Sequence, residues 1–418
     1  MGTRTNLKTG MRDGLKITVI RNKQGLDSFL KAWDELQNAE VRPVATVDPY
    51  LYYSELESLG PGADPYILCL YREGRLEAML VGRRQLVSMP IKLGYLNIMK
   101  TRLREILVYQ NGMLGRQTGD VCSLLLKALR HCLNNGEAGV AVFDHVHCYS
   151  PMYSVIRSET PFLGLGFSPS IDGLWKMEMP KNMDEFYGKK SSKIRRMLRK
   201  KIRKLESSHQ VFMKTYSDEG SLEEGISVAA AISSKTYQYS LEAGFVDNPQ
   251  TRGYLLSIAR RGCLRIYILY INNEAAAFEW GIKYMGTFYL RAMGFDPKWQ
   301  AWSIGTVLFL KVLEGLIKEG NVNNMDFGVG DAEYKRIYAN TRIDTRSFFI
   351  FPDRFYPKLL NAVRMAIAGL EIASVFVANK LGLKRKIKRI WRDRLRRKLA
   401  AAEGRNRGKA QDSDEPDL

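Results

Sequence analysis

The sequence predicts an α/β chain made of two successive units, each built on a mixed sheet whose centre is antiparallel. Three observations carry that prediction. The 418 residues exceed the ~250–300 that one hydrophobic core usually serves, so two domains are the default. Apolar residues make up 45% and aromatics 11%, which is enough to fill real cores. The same order of elements (strand, helices, antiparallel strands, helix, strand) can be read twice along the chain.

In the first half, Leu15–Ile20 alternates as a strand and is followed by a helix at about 26–37 and helical or turn segments to about 59. Strands at Tyr66–Tyr71 and Leu76–Arg83 flank the turn Arg72-Glu73-Gly74-Arg75. A strand near Ile106–Tyr109, a helix at about 120–134 and a strand at Gly139–His145 complete the pattern. In the second half a strand at Val211–Tyr216 precedes helices at about 221–241 and 250–261. Strands Leu264–Ile271, Ala275–Tyr284 and Thr287–Gly294 then follow one another. Their separators, Asn272-Asn273-Glu274 and Met285-Gly286, are short enough to be hairpin turns. A helix at about 303–319, a strand at Asn324–Phe327 and a strand at Thr345–Phe351 close the unit, and 353–380 reads as a further helix. The repeat lies in element order, not in residue identity. The resulting division is 1–180, 181–355, C-terminal amphipathic and basic helices over 356–402, and a polar tail at 403–418 expected to be disordered.

The net charge of +20 is concentrated in two places. Residues 189–204 hold ten Lys/Arg and no acid, and residues 384–398 hold ten Lys/Arg and one Asp; together they contribute +19. The rest of the chain is close to neutral, so the charge marks two local faces that suit an anionic partner. In 189–204 an apolar stripe of Ile194, Met197, Leu198, Ile202 and Leu205 shows which side packs, leaving Lys193 and Arg196 as candidate substrate-binding residues. The second helix, with Ile387, Ile390, Trp391 and Leu395 as its stripe, suits an anionic membrane at least as well as nucleic acid. No zinc finger, helix-turn-helix or RNP-type strand points to sequence-specific nucleic acid. Five dispersed cysteines without a C-x-x-C pair read as reduced thiols, and the start MGTRTNLKTGMRDGLK has no apolar h-region. No run approaches ~18–20 uncharged apolar residues, so the expected location is cytoplasmic, with peripheral contact at the inner face of the membrane. His145, His147 and Cys148 stand close together, but no second ligand cluster accompanies them and no metal is expected.

Three stretches carry a family resemblance. The basic run from Phe186 through Leu205, the strand series LRIYILYINNEAAAFEWGIKYMGTFYLRAMGFDP and the segment MDFGVGDAEYKRIY resemble, in order and spacing, the large two-domain GNAT acetyltransferases of the cellulose-biosynthesis (CelD/BcsL-type) family. The resemblance runs from about 185 to 351; the first 180 residues match only in element order. It implies tandem GNAT-like (acyl-CoA N-acyltransferase) domains, the first degenerate. It also implies transfer of an acetyl or other acyl group from acyl-CoA to an amine or hydroxyl of a sugar, polysaccharide or cell-envelope precursor. Acetyl-CoA is then expected at Ser303, Ile304, Gly305 and Thr306, where a helix opens with unpaired N–H groups suited to a pyrophosphate. The usual Arg/Gln-x-x-Gly-x-Gly/Ala signature is incomplete there: Gly305 is present and Val307 holds the second small position.

Glu279, between Phe278 and Trp280 on a central strand, is costly unless paired or held neutral, and a raised pKa is what a general base needs. Tyr334 is the candidate acid for the leaving thiolate, with Asp331 and Lys335 beside it as candidate acceptor contacts; the plain alternative is a tight turn capping the next helix. Asp120, at the start of the corresponding helix of the first half, would repel a phosphate. Two other functions fit the same features: a Fem-like transferase using aminoacyl-tRNA, and a non-catalytic membrane- or anion-binding protein.

Overall fold

The computed structural model describes residues 14–40, 43–93, 96–236, 239 and 244–380. The first half runs β1 (Leu15–Ile20), α1 (Lys23–Asp27), α2 (Leu30–Asn38), α3 (Pro49–Ser58), β2 (Ala63–Arg72), β3 (Arg75–Leu93), β4 (Leu96–Gly115), α4 (Gly119–Asn134), β5 (Val140–His147), α5 (Pro151–Glu159), β6 (Leu165–Phe167) and β7 (Asp172–Glu178). The second runs α6 (Met183–Gly188), α7 (Ser192–Glu206), β8 (Val211–Tyr216), α8 (Glu219–Ser234), α9 (Pro249–Arg260), β9 (Leu264–Ile271), β10 (Glu274–Tyr284), β11 (Thr287–Phe295), α10 (Ile304–Glu319), β12 (Asn324–Val329), α11 (Glu333–Tyr338), β13 (Thr341–Ile350) and α12 (Phe355–Lys380). By compactness the described residues divide into a main unit, within 14–89 and 101–361, and a smaller unit, within 90–100 and 362–380. The second basic helix and the polar tail expected from the sequence lie outside the described residues.

One mixed sheet runs through both halves in the order β1-β2-β3-β4-β5-β13-β7-β12-β11-β10-β9-β8, with β6 beside β13. Each half holds an antiparallel meander followed by a helix and a strand parallel to the meander's last member: β4 with β5, and β11 with β12. The expected α/β class with antiparallel-centred mixed sheets is the observed one. The two halves are stitched together by β13, which pairs antiparallel with both β5 and β7, while β7 in turn pairs with β12. Sequence reading left α5, β6 and β7 undescribed, and with them this seam.

Local chemistry explains the sharp edges. The β9–β10 turn places Asn272 and Asn273 at φ 50° and 64°, and asparagine tolerates the left-handed region that a two-residue hairpin demands. Asn248, Asn182, Asp218 and Asp48 start α9, α6, α8 and α3 by accepting first-turn N–H bonds with their side chains. Both faces of the second half are covered: α10 and α7 bury Val307, Leu313, Leu198 and Leu205 against one side, while α8 and α9 bury Ile226, Ile232 and Leu255 against the other. A buried knot also ties α2 and α3 to β10: Tyr284 Oη donates to Asp48 Oδ2 at 2.9 Å, and Gln37 Nε2 donates to Tyr284 Oη at 3.4 Å.

The β10–β11 ladder carries a bulge. Trp280 opposes Ala292 and Gly281 opposes Leu290, leaving Arg291 as the extra residue on β11. Gly281 is needed there, because a Cβ would lie 2.5 Å from both the Phe288 ring and the Tyr289 carbonyl oxygen. Gly281→Ala should therefore lower stability by about 1–3 kcal/mol, read as a shifted denaturation midpoint, by the cost of overpacking a core.

Candidate functional site

β11 and β12 pair over only three residues, Thr287–Tyr289 against Asn324–Asp326. Beyond that point they diverge, and β11 continues from Leu290 to Phe295 with no strand partner on its β12 side among the described residues. Two cavities meet in the gap. The first, about 800 Å³, lies between the starts of α10 and α11 and the end of α8, with Gly305, Thr306, Tyr334, Tyr338 and Phe278 in its wall. The second, about 360 Å³, is bounded by Gln110, Asp144, His145, Lys335 and the β12 turn. Arg291, Ala292, Met293 and Tyr334 belong to both walls.

The structure brings Gly305, Thr306 and Tyr334 together around the first cavity. Ser303 has a left-handed backbone (φ 54°) and gives α10 no side-chain cap; its carbonyl accepts the Thr306 N–H at 2.9 Å, while the N–H groups of Ile304 and Gly305 ahead of it are first-turn donors that no side chain caps. Ile304 is fully buried in the core. A Cβ on Gly305 would meet only the Phe295 ring at 3.5 Å, an ordinary contact, so the protein's own packing does not require glycine there. Thr306 Oγ1 accepts from Lys201 Nζ at 3.3 Å, and Lys204 Nζ donates to the Ala301 carbonyl at 3.4 Å while lying over the Trp302 ring. The basic helix α7 thus delivers two ammonium groups to the start of α10. Sequence reasoning marked α7 as anion-seeking but chose Lys193 and Arg196, which are exposed on its outer side. The i, i+3 spacing of Lys201 and Lys204 was the available signal, though it does not say which helix they meet.

Glu279 is completely buried, both carboxylate oxygens lack a hydrogen-bond partner among the described residues, and it is absent from the walls of both cavities. Its strand neighbours are Tyr267 on β9 and Met293 on β11. Loss of water pushes its pKa up to about 8. Tyr334 and Tyr338 are each pushed up to about 12, mainly by burial and further by the negative charge of Glu279.

The remaining candidates serve the β12–α11 loop. Lys335 is buried, and its ammonium donates to the carbonyls of Gly328 (3.2 Å) and Val329 (2.9 Å). Asp331 Oδ1 accepts from Trp175 Nε1 at 3.2 Å, and its other oxygen pairs with Arg336 at 2.7 Å. Asp326 accepts from the Gly328 N–H at 2.8 Å, closing the turn in which Gly328 and Gly330 take positive φ. These bonds fix the loop that presents Tyr334. Among the described residues, no group of three or more His, Cys, Asp or Glu side chains gathers as a metal would need.

Residues 192–336 match the family model described as an acetyltransferase (GNAT) domain. No curated protein matches the chain. Among solved structures the chain is similar to FemX, at 10% identity and TM-score 0.56, over 79% of this chain and 98% of that one. It is also similar to L-PGS from Bacillus licheniformis (15%, 0.49, 82% and 96%) and to a tandem GNAT protein from the clavulanic acid biosynthesis pathway (11%, 0.46, 79% and 98%). At such identities the likeness is one of fold. The match over 192–336 shows that the C-terminal half carries a GNAT acyltransferase domain, and the protein is an enzyme of GNAT type.

The folded-state pKa of Glu279, about 8, lies above the ordinary 4.5, so between these values the folded chain keeps a proton that the unfolded chain releases. That contribution to stability is lost as pH rises through the window. Melting curves from pH 5 to 9 should show wild type weakening relative to Glu279→Gln, with the variant the more stable at pH 8.5. Parallel pH profiles would contradict a neutral buried carboxyl.

Proposed function

We propose that the protein moves an acyl group, acetyl or longer, from acyl-CoA to an amine or hydroxyl of a sugar, polysaccharide or cell-envelope precursor. The observation that carries this reading is the unpaired edge of β11 lying between the uncapped start of α10 and Tyr334. Backbone groups on such an edge recruit hydrogen-bonding partners, and the amide-bearing pantetheine arm of CoA can lie along it as an added strand does. The α10 start, with Lys201 and Lys204 alongside, suits the pyrophosphate. Tyr334 then stands where the thioester would lie and supplies a proton to the departing thiolate. Glu279, sealed from the cavities, acts through Tyr334 and Tyr338 by setting their acidity. The donor site belongs to the second half: α4 of the first half opens with Asp120, whose negative charge opposes a phosphate. The envelope acceptor and the peripheral membrane contact through 384–398 rest on the sequence resemblance and on charge.

A second reading, an aminoacyl-tRNA donor, is favoured by one feature. Arg196, Lys200, Arg203 and Lys204 line an open groove on α7, a track longer than one pyrophosphate needs.

A thermal-shift series with acetyl-CoA, a longer acyl-CoA and tRNA separates the two. Acyl-CoA should raise the melting temperature of wild type. Gly305→Ala, which the fold tolerates, and the Lys201→Ala/Lys204→Ala pair should each weaken acyl-CoA binding at least about tenfold, the scale of one lost charge-assisted contact. Stabilisation by tRNA alone, falling steeply with salt, would transfer the assignment to the second reading.

A further inference from the structure

The second cavity holds a pair of side chains that no step above uses. On β5, Ala141 and Phe143 point into the core formed with α4 and α5, and Val146 packs against that same core. Strict alternation would send residue 145, not 146, to that side. The break is a bulge: Arg346 opposes Val146 and Phe348 opposes Phe143, so Asp144 and His145 together face the single residue Ser347. His145 occupies the extra position with φ +46°, and its N–H donates to Ser347 Oγ at 3.1 Å. Glycine fits this left-handed backbone without cost, and histidine does not. The bulge turns two consecutive polar side chains onto one face, and both line the cavity.

There the imidazole is held. His145 Nδ1 lies 2.5 Å from Asp144 Oδ1, and Nε2 lies 3.7 Å from Asp172 Oδ2 at the start of β7. Arg291, Lys335 and Tyr334 form other parts of the wall, and Asp344 and Arg346 sit on the neighbouring β13. Tyr334 and Arg291 also belong to the donor cavity. The dyad thus occupies a chamber that shares a wall with the place assigned to the thioester.

We propose that this chamber receives the amine or hydroxyl acceptor and that His145, oriented by Asp144, is its general base. The inference rests on the acyl-transfer reading. As the acceptor nitrogen or oxygen bonds to the acyl carbon, its proton passes to His145 Nε2 while Nδ1–H donates to Asp144. The carbon–sulfur bond breaks, and the thiolate takes a proton from Tyr334. Solvent then returns a proton to Tyr334 and removes one from His145, so amide or ester and free CoA thiol are the products. The two carboxylates raise the imidazole pKa above its ordinary 6.5, the hydrogen bond that His145 donates to Asp144 most strongly.

The test follows thiol release from acetyl-CoA by the full chain from pH 6 to 9, with water and with glucosamine as probe acceptors, alongside acetyl-CoA affinity. His145→Gln should slow release about 10²–10⁴-fold with acetyl-CoA affinity unchanged. His145→Gly should be equally slow while melting no lower than wild type, because glycine relieves the backbone. Asp144→Asn should move the rising limb of the pH profile to lower pH. Wild-type rate and profile in His145→Gln, with acetyl-CoA bound normally, would overturn the assignment. Ring-proton NMR needs no turnover: an imidazole titrating at its ordinary value and unmoved by Asp144→Asn would overturn it too. Failure of the wild type to bind acetyl-CoA at all would instead strike the acyl-transfer reading.

Discussion

Parallel strands inside a sheet normally exchange hydrogen bonds along their whole common length, because a backbone N–H or C=O left alone in the interior costs free energy comparable to a lost hydrogen bond. Here β11 and β12 exchange them over three residues and then part. The bulge at Arg291 bends β11 at the point of separation. The short Asp326–Gly328 turn, tied down by Lys335, swings α11 into the opening. Both cavities, their common wall and the position of Tyr334 follow from that separation. The order of dependence runs from backbone pairing to side-chain placement to chemistry.

Glu279, Tyr267 and Trp280 each keep a polar atom in the interior with no partner. Each such group costs free energy that contacts elsewhere in the fold offset. For Glu279 the cost is limited by keeping the carboxyl protonated, which leaves a group whose charge state changes near neutral pH and whose charge acts on two tyrosines. An ion pair would have been simpler, and it would have fixed that charge.

Much of this was legible in the sequence. The β9–β10–β11 series shows apolar alternation with Asn-Asn and Met-Gly turns, and its strands fall within a residue of expectation. Glu279 announced itself as a carboxylate between aromatics, and Tyr334 through the Asp-Phe-Gly-x-Gly-Asp segment. What stayed hidden depends on contacts distant in sequence. β13 inserts between β5 and β7, a pairing that no local pattern encodes. Lys201 and Lys204 were visible as charge, but their meeting with α10 is tertiary. Lys335 read as an acceptor contact by its type, whereas its ammonium is occupied by two carbonyls of its own loop. His145 read as one of a close histidine pair; the bulge that separates its environment from that of His147 sits where histidine stands in place of the usual glycine, and so gives no signal. His147 is drawn to the opposite state: burial lowers its pKa, while the carboxylates beside His145 raise that of its neighbour.

The central claim is that the gap between β11 and β12 receives the acyl donor. Hydrogen exchange with and without acetyl-CoA measures it directly, because the β11 amides directed away from β10 beyond Tyr289 have no strand partner among the described residues until a ligand provides one. The expected result is new protection confined to Leu290–Phe295 and to the start of α10 at Ser303–Thr306, with β4, β5 and α4 unchanged. Protection appearing at Gly115–Val121 of the first half, or nowhere, would contradict the account.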